Sequence, residues 1–209
     1  MLLNHKILKG NLNSAELIAI KLSSDYPKDI VVKQVLSFVQ LKLNKIKDAV
    51  KTLNQAISIQ PNESTNYYNL ANIYEKEGMN TEAIHCYLKT ISINKGDFLS
   101  KKRLAEIYFR ENHLNKALEL YEELLMQDEF KDNIKLLGQK AVCIGILDNP
   151  ENAKIFIDKY LMSHTNKDEA KSMIVLVYHY IGFKKEALEI SKELEGSIIF
   201  SQEEKVKIS

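Results

Sequence analysis

The side chains best suited to chemistry in this sequence are two asparagines and three basic residues in neighbouring segments. Asn69 and Asn72 are three residues apart, so a helix would carry both on one face. Asparagine is a poor helix former, and its amide can hydrogen-bond a peptide backbone without requiring a particular partner side chain. Lys102, Arg103 and Arg110 could pair with a carboxylate or a phosphate. As a cluster these residues favour binding, although each alone is more typical of a solvated helix face.

The residues that usually carry catalysis or hold a metal are scattered. The two cysteines, Cys86 and Cys143, are 57 residues apart with no C-x-x-C motif, which is typical of free thiols in a reducing compartment. The seven glycines form no phosphate-binding loop. The five histidines lack metal-ligand spacing; they are His5, His85, His113, His164 and His179. The sequence therefore predicts no enzyme, no catalytic residue, no metal site and no cofactor.

The charge balance and the amino end limit the partners and the compartment. The chain has 29 basic and 28 acidic residues, without the basic excess that a nucleic-acid-binding protein usually shows. Residues 1–60 carry nine lysines against four acids, which we interpret as a solvated face. Residues 1–13 resemble neither a signal peptide nor a membrane span. We therefore expect a cytoplasmic protein that neither binds nucleic acid nor enters a membrane.

Six alanines recur at an almost constant interval and indicate an internal repeat. The spacings between them are 34, 34, 34, 36 and 34 residues, whereas a single globular core needs no such period. The alanines are Ala15, Ala49, Ala83, Ala117, Ala153 and Ala187. A period in this range predicts one supersecondary unit that stacks repeatedly on its neighbours.

The segment 64–97 shows this unit most clearly. Over 66–78 the apolar residues recur at intervals of three and four, as one face of a helix requires. Gly78 is expected to end this helix, and Thr81 to offer an N-cap oxygen to a second one. Ala71 and Ala83 would lie where the two helices cross closely. The predicted unit is a pair of antiparallel helices joined by a tight turn.

These features resemble the tetratricopeptide repeat, a helix-turn-helix family of the same period. The resemblance covers nearly the whole chain and implies an all-α, right-handed superhelical solenoid of antiparallel helix pairs. We expect a single such domain over 1–209. Its predicted repeats are 1–29 (incomplete), 30–63, 64–97, 98–133, 134–167 and 168–200, with 201–209 as a terminal cap or the start of a further helix.

Two departures from the family pattern lead to further expectations. Lys33, Lys101 and Lys171 replace the first aromatic residue of their repeats, so those helix starts should be partly exposed. Gly138 and Gly145 are seven residues apart on one helix face. Their missing side chains either open a notch for a ligand or reflect a helix that is packed well enough to tolerate them.

Both ends of the sequence look cut. Gly10 aligns with Gly78, so the first helix would have only residues 1–9, and a capping-box pattern at 201–204 begins a helix that stops at Ser209. The segment 171–180 is apolar nearly all round and needs a cover. The tail 198–208 covers it, or the chain is a piece of a longer protein, or the chain self-associates through this end.

In the family that the sequence resembles, the first helices line a concave groove that holds peptides or short helices. Carried over by position, the groove residues are Gln34, Phe38, Tyr68, Asn69, Asn72, Glu75, Lys76, Lys102, Arg103, Glu106, Arg110, Lys135, Gln139 and Val142. A subclass that grips the carboxylate end of chaperones uses a set of which only Asn72 and Lys135 agree, so that activity is not expected.

The resemblance implies a non-enzymatic scaffold that binds a peptide or a segment of a partner protein in the groove. One alternative is the repeat module of a larger enzyme, such as a glycosyl- or sulfotransferase. The other is a self-assembling scaffold that forms homo-oligomers through the C-terminal repeat.

Overall fold

The structure is a computed structural model of the chain, and it describes residues 10–194. This range contains eleven α-helices and no strand, which confirms the all-α prediction. The helices are α1 Leu12–Asp25, α2 Ile30–Lys42, α3 Ile46–Ile59, α4 Ser64–Lys76, α5 Asn80–Ile93, α6 Phe98–Arg110, α7 Leu114–Leu125, α8 Ile134–Leu147, α9 Pro150–Tyr160, α10 Lys167–Ile181 and α11 Lys184–Glu193. The predicted helix over 1–9 and the predicted tail with its capping box at 201–204 lie outside the described residues.

The helices fall into two compact units, Met1–Ser100 and Lys101–Ser209, and the division lies inside α6. In unit 1, α2 packs against α1 and α3, and α4 packs against α3 and α5. In unit 2, α8 packs against α7, α9 and α10, and α10 packs against α11. The short connections between successive helices make them antiparallel neighbours. Each unit is thus a row of helix hairpins.

The recurrent alanines occupy one position of the hairpin. Each is the fourth residue of its helix, in α1, α3, α5, α7, α9 and α11. Five of them are completely buried, and Ala187 in the last helix is 7% exposed. A methyl group is the largest side chain that two closely crossing helices accommodate without moving apart. Ala71 on α4 is also completely buried, as expected for the α4–α5 contact.

A second position of the hairpin has left-handed backbone geometry. In five of the six hairpins, the residue two before the alanine-bearing helix has a positive φ: 71° at Gly10, 60° at Asn44, 74° at Gly78, 59° at Asn112 and 95° at Gly182, whereas Asp148 before α9 has a φ of −113°. Glycine reaches this region without steric cost, and asparagine is the side chain that tolerates it best after glycine. The prediction that Gly78 ends the first helix of its hairpin is confirmed.

The prediction that Thr81 caps the second helix is wrong. Helix α5 begins at Asn80, and its N-cap residue is Met79, which makes no side-chain capping bond. Gly78 turns the chain directly into the helix, so Thr81 already lies in the first turn. At the start of α9 the side chain of Asn149 does cap, accepting from the backbone N–H of Asn152 at 2.9 Å, and Pro150 begins the helix as expected.

The expectation that Lys33 and Lys101 are partly exposed is also wrong, since they are only 6% and 5% exposed. The Lys33 amine donates to Ser23 Oγ at 3.3 Å and to Gln55 Oε1 at 3.4 Å, and the Lys101 amine pairs with Glu123. The methylene stem of a lysine can fill an aromatic residue's place while the amine reaches a polar partner at the edge. The expectation holds for Lys171, whose side chain is 37% exposed.

The two glycines of α8 are positions of close helix packing. A Cβ atom on Gly138 would lie 2.2 Å from Met173 Sδ of α10, and one on Gly145 would lie 2.5 Å from Ile181 Cγ2. Both glycines are buried. The structure therefore decides between the two alternatives in favour of packing, because α10 occupies the space that a notch would need.

We expect the change Gly145→Ala to destabilise unit 2. In an unhindered helix the exchange would stabilise by about 1 kcal/mol. Here the new methyl meets the stiff β-branched side chain of Ile181, and overpacking costs about 1–3 kcal/mol. Urea unfolding of the intact chain measures the difference, and Gly138→Ala is the milder control because the flexible Met173 can move aside.

The double variant Gly145→Ala/Ile181→Ala tests the cause of that loss. Because alanine at 181 removes the clashing Cγ2 atom, the double variant should lose less stability than the two single variants added together. A Gly145→Ala protein that unfolds at the same urea concentration as the wild type, or at a higher one, would contradict the close packing of α8 and α10.

Candidate functional site

Helices α2 and α4 enclose a cavity of about 300 Å3 in unit 1, which the start of α3 closes at one end. We call it the unit 1 groove. Its lining residues are Gln34, Ser37, Phe38, Leu41, Lys42, Ile46, Asn69, Asn72, Ile73, Lys76 and Glu77. Because α2 and α4 both pack on α3 and both run antiparallel to it, they are parallel to each other. The groove therefore has two chemically distinct ends.

Amide side chains lie toward the amino-terminal ends of the two helices. Gln34 Nε2 donates to Asn66 Oδ1 at 2.8 Å, and this bond joins α2 to α4. Asn66 is completely buried, and its Nδ2 has no hydrogen-bond partner among the described residues. Asn69 lies one turn further along α4 and lines the groove. The bond to Asn66 fixes the Gln34 amide in place at this end.

The amide of Asn72 is held by a buried tyrosine. The Tyr87 hydroxyl oxygen lies 2.7 Å from Asn72 Oδ1 and 2.8 Å from Glu75 Oε2, but a phenol has only one proton to donate. A carboxylate is the stronger acceptor, so Tyr87 donates to Glu75. The oxygen and nitrogen of an amide are assigned from their partners, and Asn72 then turns its Nδ2 toward Tyr87. The Asn72 side chain, which lines the groove, is thereby held in place.

The middle of the groove is apolar and its other end is basic. The Phe38 side chain is 45% exposed in the middle, beside the buried Ile73. Lys42 and Lys76 lie in the last turns of α2 and α4, where the helix dipole favours a cation. The amine of Lys42 lies 5.4 Å from the centre of the Phe38 ring. The groove thus changes along its length from amides through apolar side chains to cations.

The predicted groove residues in unit 1 divide into two groups. Gln34, Phe38, Asn69, Asn72 and Lys76 line the unit 1 groove together. The other two contact the buried tyrosine instead and are not among the lining residues. They are Tyr68, whose ring meets the Tyr87 ring edge-on at 6.1 Å, and Glu75, which accepts from the hydroxyl.

The predicted residues in unit 2 centre on Glu106. This carboxylate is only 7% exposed, and it lies 2.9 Å from the Lys135 amine and 3.5 Å from Arg103 Nη1. It therefore already pairs with two of the predicted cations. Lys102 on α6 is half-buried, and Arg110 is exposed in the last turn of the same helix.

Two further predicted residues, Gln139 and Val142, lie on α8. Gln139 has a buried Oε1 without a hydrogen-bond partner among the described residues. Val142, which we expected to face a groove, is 4% exposed and belongs to the hydrophobic core of unit 2. The reason for that correction is the close packing of α10 on α8 at the two glycines.

Six lining residues were missed by the sequence: Ser37, Leu41, Lys42, Ile46, Ile73 and Glu77. Lys42 had a usable signal, because it precedes the predicted Lys76 by one repeat of 34 residues. Ser37, Leu41 and Ile73 depend on how far α2 and α4 are rotated about their axes, whereas Ile46 begins α3 and Glu77 follows the end of α4. A periodicity argument fixes that rotation only to within a neighbouring residue.

Burial raises the pKa of several groups, away from the values that nucleophilic chemistry near neutral pH needs. Burial and the nearby Glu82 raise the pKa of Cys86 to about 11, and burial raises that of Cys143 to about 12. Burial also raises the pKa of Tyr121 and brings that of Tyr178 to about 12. Within residues 10–194, no three His, Cys, Asp or Glu side chains gather as a metal site requires. Over the same range, no helix has the length and apolarity to cross a bilayer.

Two stretches of the sequence match known repeat families. Residues 40–78 match the family described as TPR repeat, and residues 64–97 match the tetratricopeptide repeat. Among curated proteins, none matches this sequence.

Solved structures share the fold at low sequence identity. MamA has a TM-score of 0.67 at 17% identity, over 77% of this chain and 93% of that one. YrrB is described as a TPR protein with an unusual peptide-binding site. It has a TM-score of 0.67 at 16% identity, over 85% of this chain and 91% of that one. The pilF protein of Pseudomonas aeruginosa has a TM-score of 0.67 at 13% identity, over 98% of this chain and 92% of that one. At these identities the likeness concerns the fold alone. The family matches show tetratricopeptide repeats over residues 40–97, and the likeness to solved structures extends the same fold to the rest of the described chain.

Proposed function

We propose that this protein is a non-enzymatic, cytoplasmic scaffold that binds an extended segment of a partner protein in the unit 1 groove. The observation that carries the proposal is the groove itself, about 300 Å3 between α2 and α4. Its lining on α2 extends from Gln34 to Lys42, which corresponds to about 12 Å of helix. An extended chain advances about 3.3 Å per residue, so three or four residues of a peptide fit this length.

The amides of the groove suit a peptide backbone. An extended segment has an unpaired N–H and C=O at each residue, and these need partners when they leave water. Asn69 and Asn72 can supply donors and acceptors from one wall. Because Tyr87 already holds the Asn72 amide, binding a peptide would immobilise little that is now free. This preorganisation supports a peptide ligand.

Comparison with a relative of the same fold also supports peptide binding, since YrrB is described as having a peptide-binding site. The predicted residues of unit 2 remain proposals for additional contacts. They are Lys102, Arg103, Glu106, Arg110, Lys135 and Gln139. Self-association through the last repeat and a role as a module of a larger enzyme stay predictions from the sequence.

We expect Phe38→Ala to weaken peptide binding at least tenfold, because it removes the exposed ring in the middle of the groove. Octapeptides selected on the intact protein from a random library serve as probes, and fluorescence anisotropy measures their affinity. Val31→Ala is the matched control, since Val31 is a 60% exposed apolar residue of the same helix outside the groove lining. If the selected peptides bind the Phe38→Ala and Asn72→Ala variants as tightly as the wild type, the proposed groove is wrong.

We expect both cysteines to react slowly with a thiol reagent at pH 8 while the protein is folded. Their pKa values are raised from 9.0 to about 11 and 12, so the thiolate fraction is small, and both side chains are buried. As the pH rises above 9.0, the unfolded state loses these protons while the folded state still keeps them. The stability that the two buried thiols contribute is therefore complete below pH 9 and is lost as the pH rises through the folded-state pKa values of about 11 and 12. Rapid modification of either thiol in the folded protein, at the rate seen in urea, would contradict this.

A further inference from the structure

The basic end of the unit 1 groove contains two lysines, Lys42 and Lys76. Neither Lys42 nor Lys76 has an ion-pair partner among the described residues. By contrast, Lys45 is paired with Glu16 at 2.6 Å in the same unit. Lys42 and Lys76 occupy equivalent positions of successive repeats, one on each wall of the groove. Two facing cations outweigh the single acidic lining residue, Glu77.

The charge of the described part of unit 1 is nearly balanced, so the two groove lysines are a local feature. Residues 10–100 contain ten lysines and no arginine against nine acidic residues. One carboxylate close to the groove, that of Glu75, accepts a hydrogen bond from Tyr87. A peptide with a negative charge would therefore be attracted locally, by the two cations at the basic end.

The apolar centre lies one helical turn from that basic end. Phe38 and Lys42 are four residues apart on α2, and neighbours of this kind are about 5–6 Å apart. In an extended peptide, residues i and i+2 point to the same side and are about 6.6 Å apart. A side chain that packs on Phe38 and a side chain that reaches Lys42 are therefore two positions apart in the bound segment.

We propose that the unit 1 groove selects an extended internal segment in which a large apolar side chain and an Asp or Glu are separated by one residue. The apolar side chain covers Phe38 next to Ile73, and the carboxylate lies between the amines of Lys42 and Lys76. The amides of Asn69 and Asn72 bond to the intervening backbone. This inference rests on the proposed function and adds the chemistry of the partner to it.

The experiment uses a positional-scanning library of octapeptides that are acetylated and amidated, so that they carry no terminal charge. Selection on the intact protein should enrich an aromatic or large aliphatic residue with Asp or Glu two positions away, in either direction, at least tenfold over the input. The variant Lys42→Glu/Lys76→Glu should instead prefer Lys or Arg at the acidic position. Lys47→Glu/Lys51→Glu is the matched control, because it makes the same charge change at exposed lysines of α3 that do not line the groove.

The possible outcomes separate the inference from the function on which it rests. Peptides that need Phe38 but show no acidic preference would overturn the inference and leave peptide binding in place. Enrichment only in a second library with free carboxyl ends would overturn it too, since the carboxylate would then be a chain terminus. If no peptide is enriched, or if every enriched peptide binds the Phe38→Ala variant unchanged, the inference and the proposed function both fail.

Discussion

The structure depends on one steric constraint, the close approach of two helices at a methyl group in every hairpin. The alanine at the fourth position of the second helix lets the backbones meet, and its burial is complete in five of six hairpins. A larger residue there would separate the helices and expose the apolar stripes on both. Because each hairpin has the same constraint, each presents its first helix in an equivalent way. Side chains on the first helices can therefore vary without disturbing the hairpin.

That freedom gives different surroundings to the first helices in the two units. In unit 2, glycines replace side chains on α8, and α10 packs directly against them with Met173 and Ile181. In unit 1, the corresponding helices α2 and α4 carry Phe38 and Asn72 on the surfaces that border the groove. The same backbone arrangement thus yields a closed interface in one unit and an open groove in the other. The choice depends on a few side chains on the first helices.

Much of the fold could be predicted from the sequence because the period and the special backbone positions have direct steric causes. The alanine spacing gave the hairpin, and Gly78 gave its turn. The exposure of Lys33 and Lys101 was mispredicted because residue type alone does not show where the long methylene chain of a lysine lies. Both side chains are buried, and their amines contact polar partners. The cap at Thr81 failed because the helix that follows the left-handed Gly78 begins two residues earlier than an N-cap at Thr81 would place it.

The candidate site was predicted less completely than the fold. Five of its lining residues followed from the register of the repeat, whereas Leu41 and Ile73 depend on helix rotation, which period alone does not fix. The central claim is that α2 and α4 form the binding surface, and the side-chain amide signals of Gln34, Asn69 and Asn72 test it most directly. In an NMR titration of the intact protein with a selected peptide, these signals should shift in proportion to occupancy. Shifts confined to residues outside the unit 1 groove would contradict the claim.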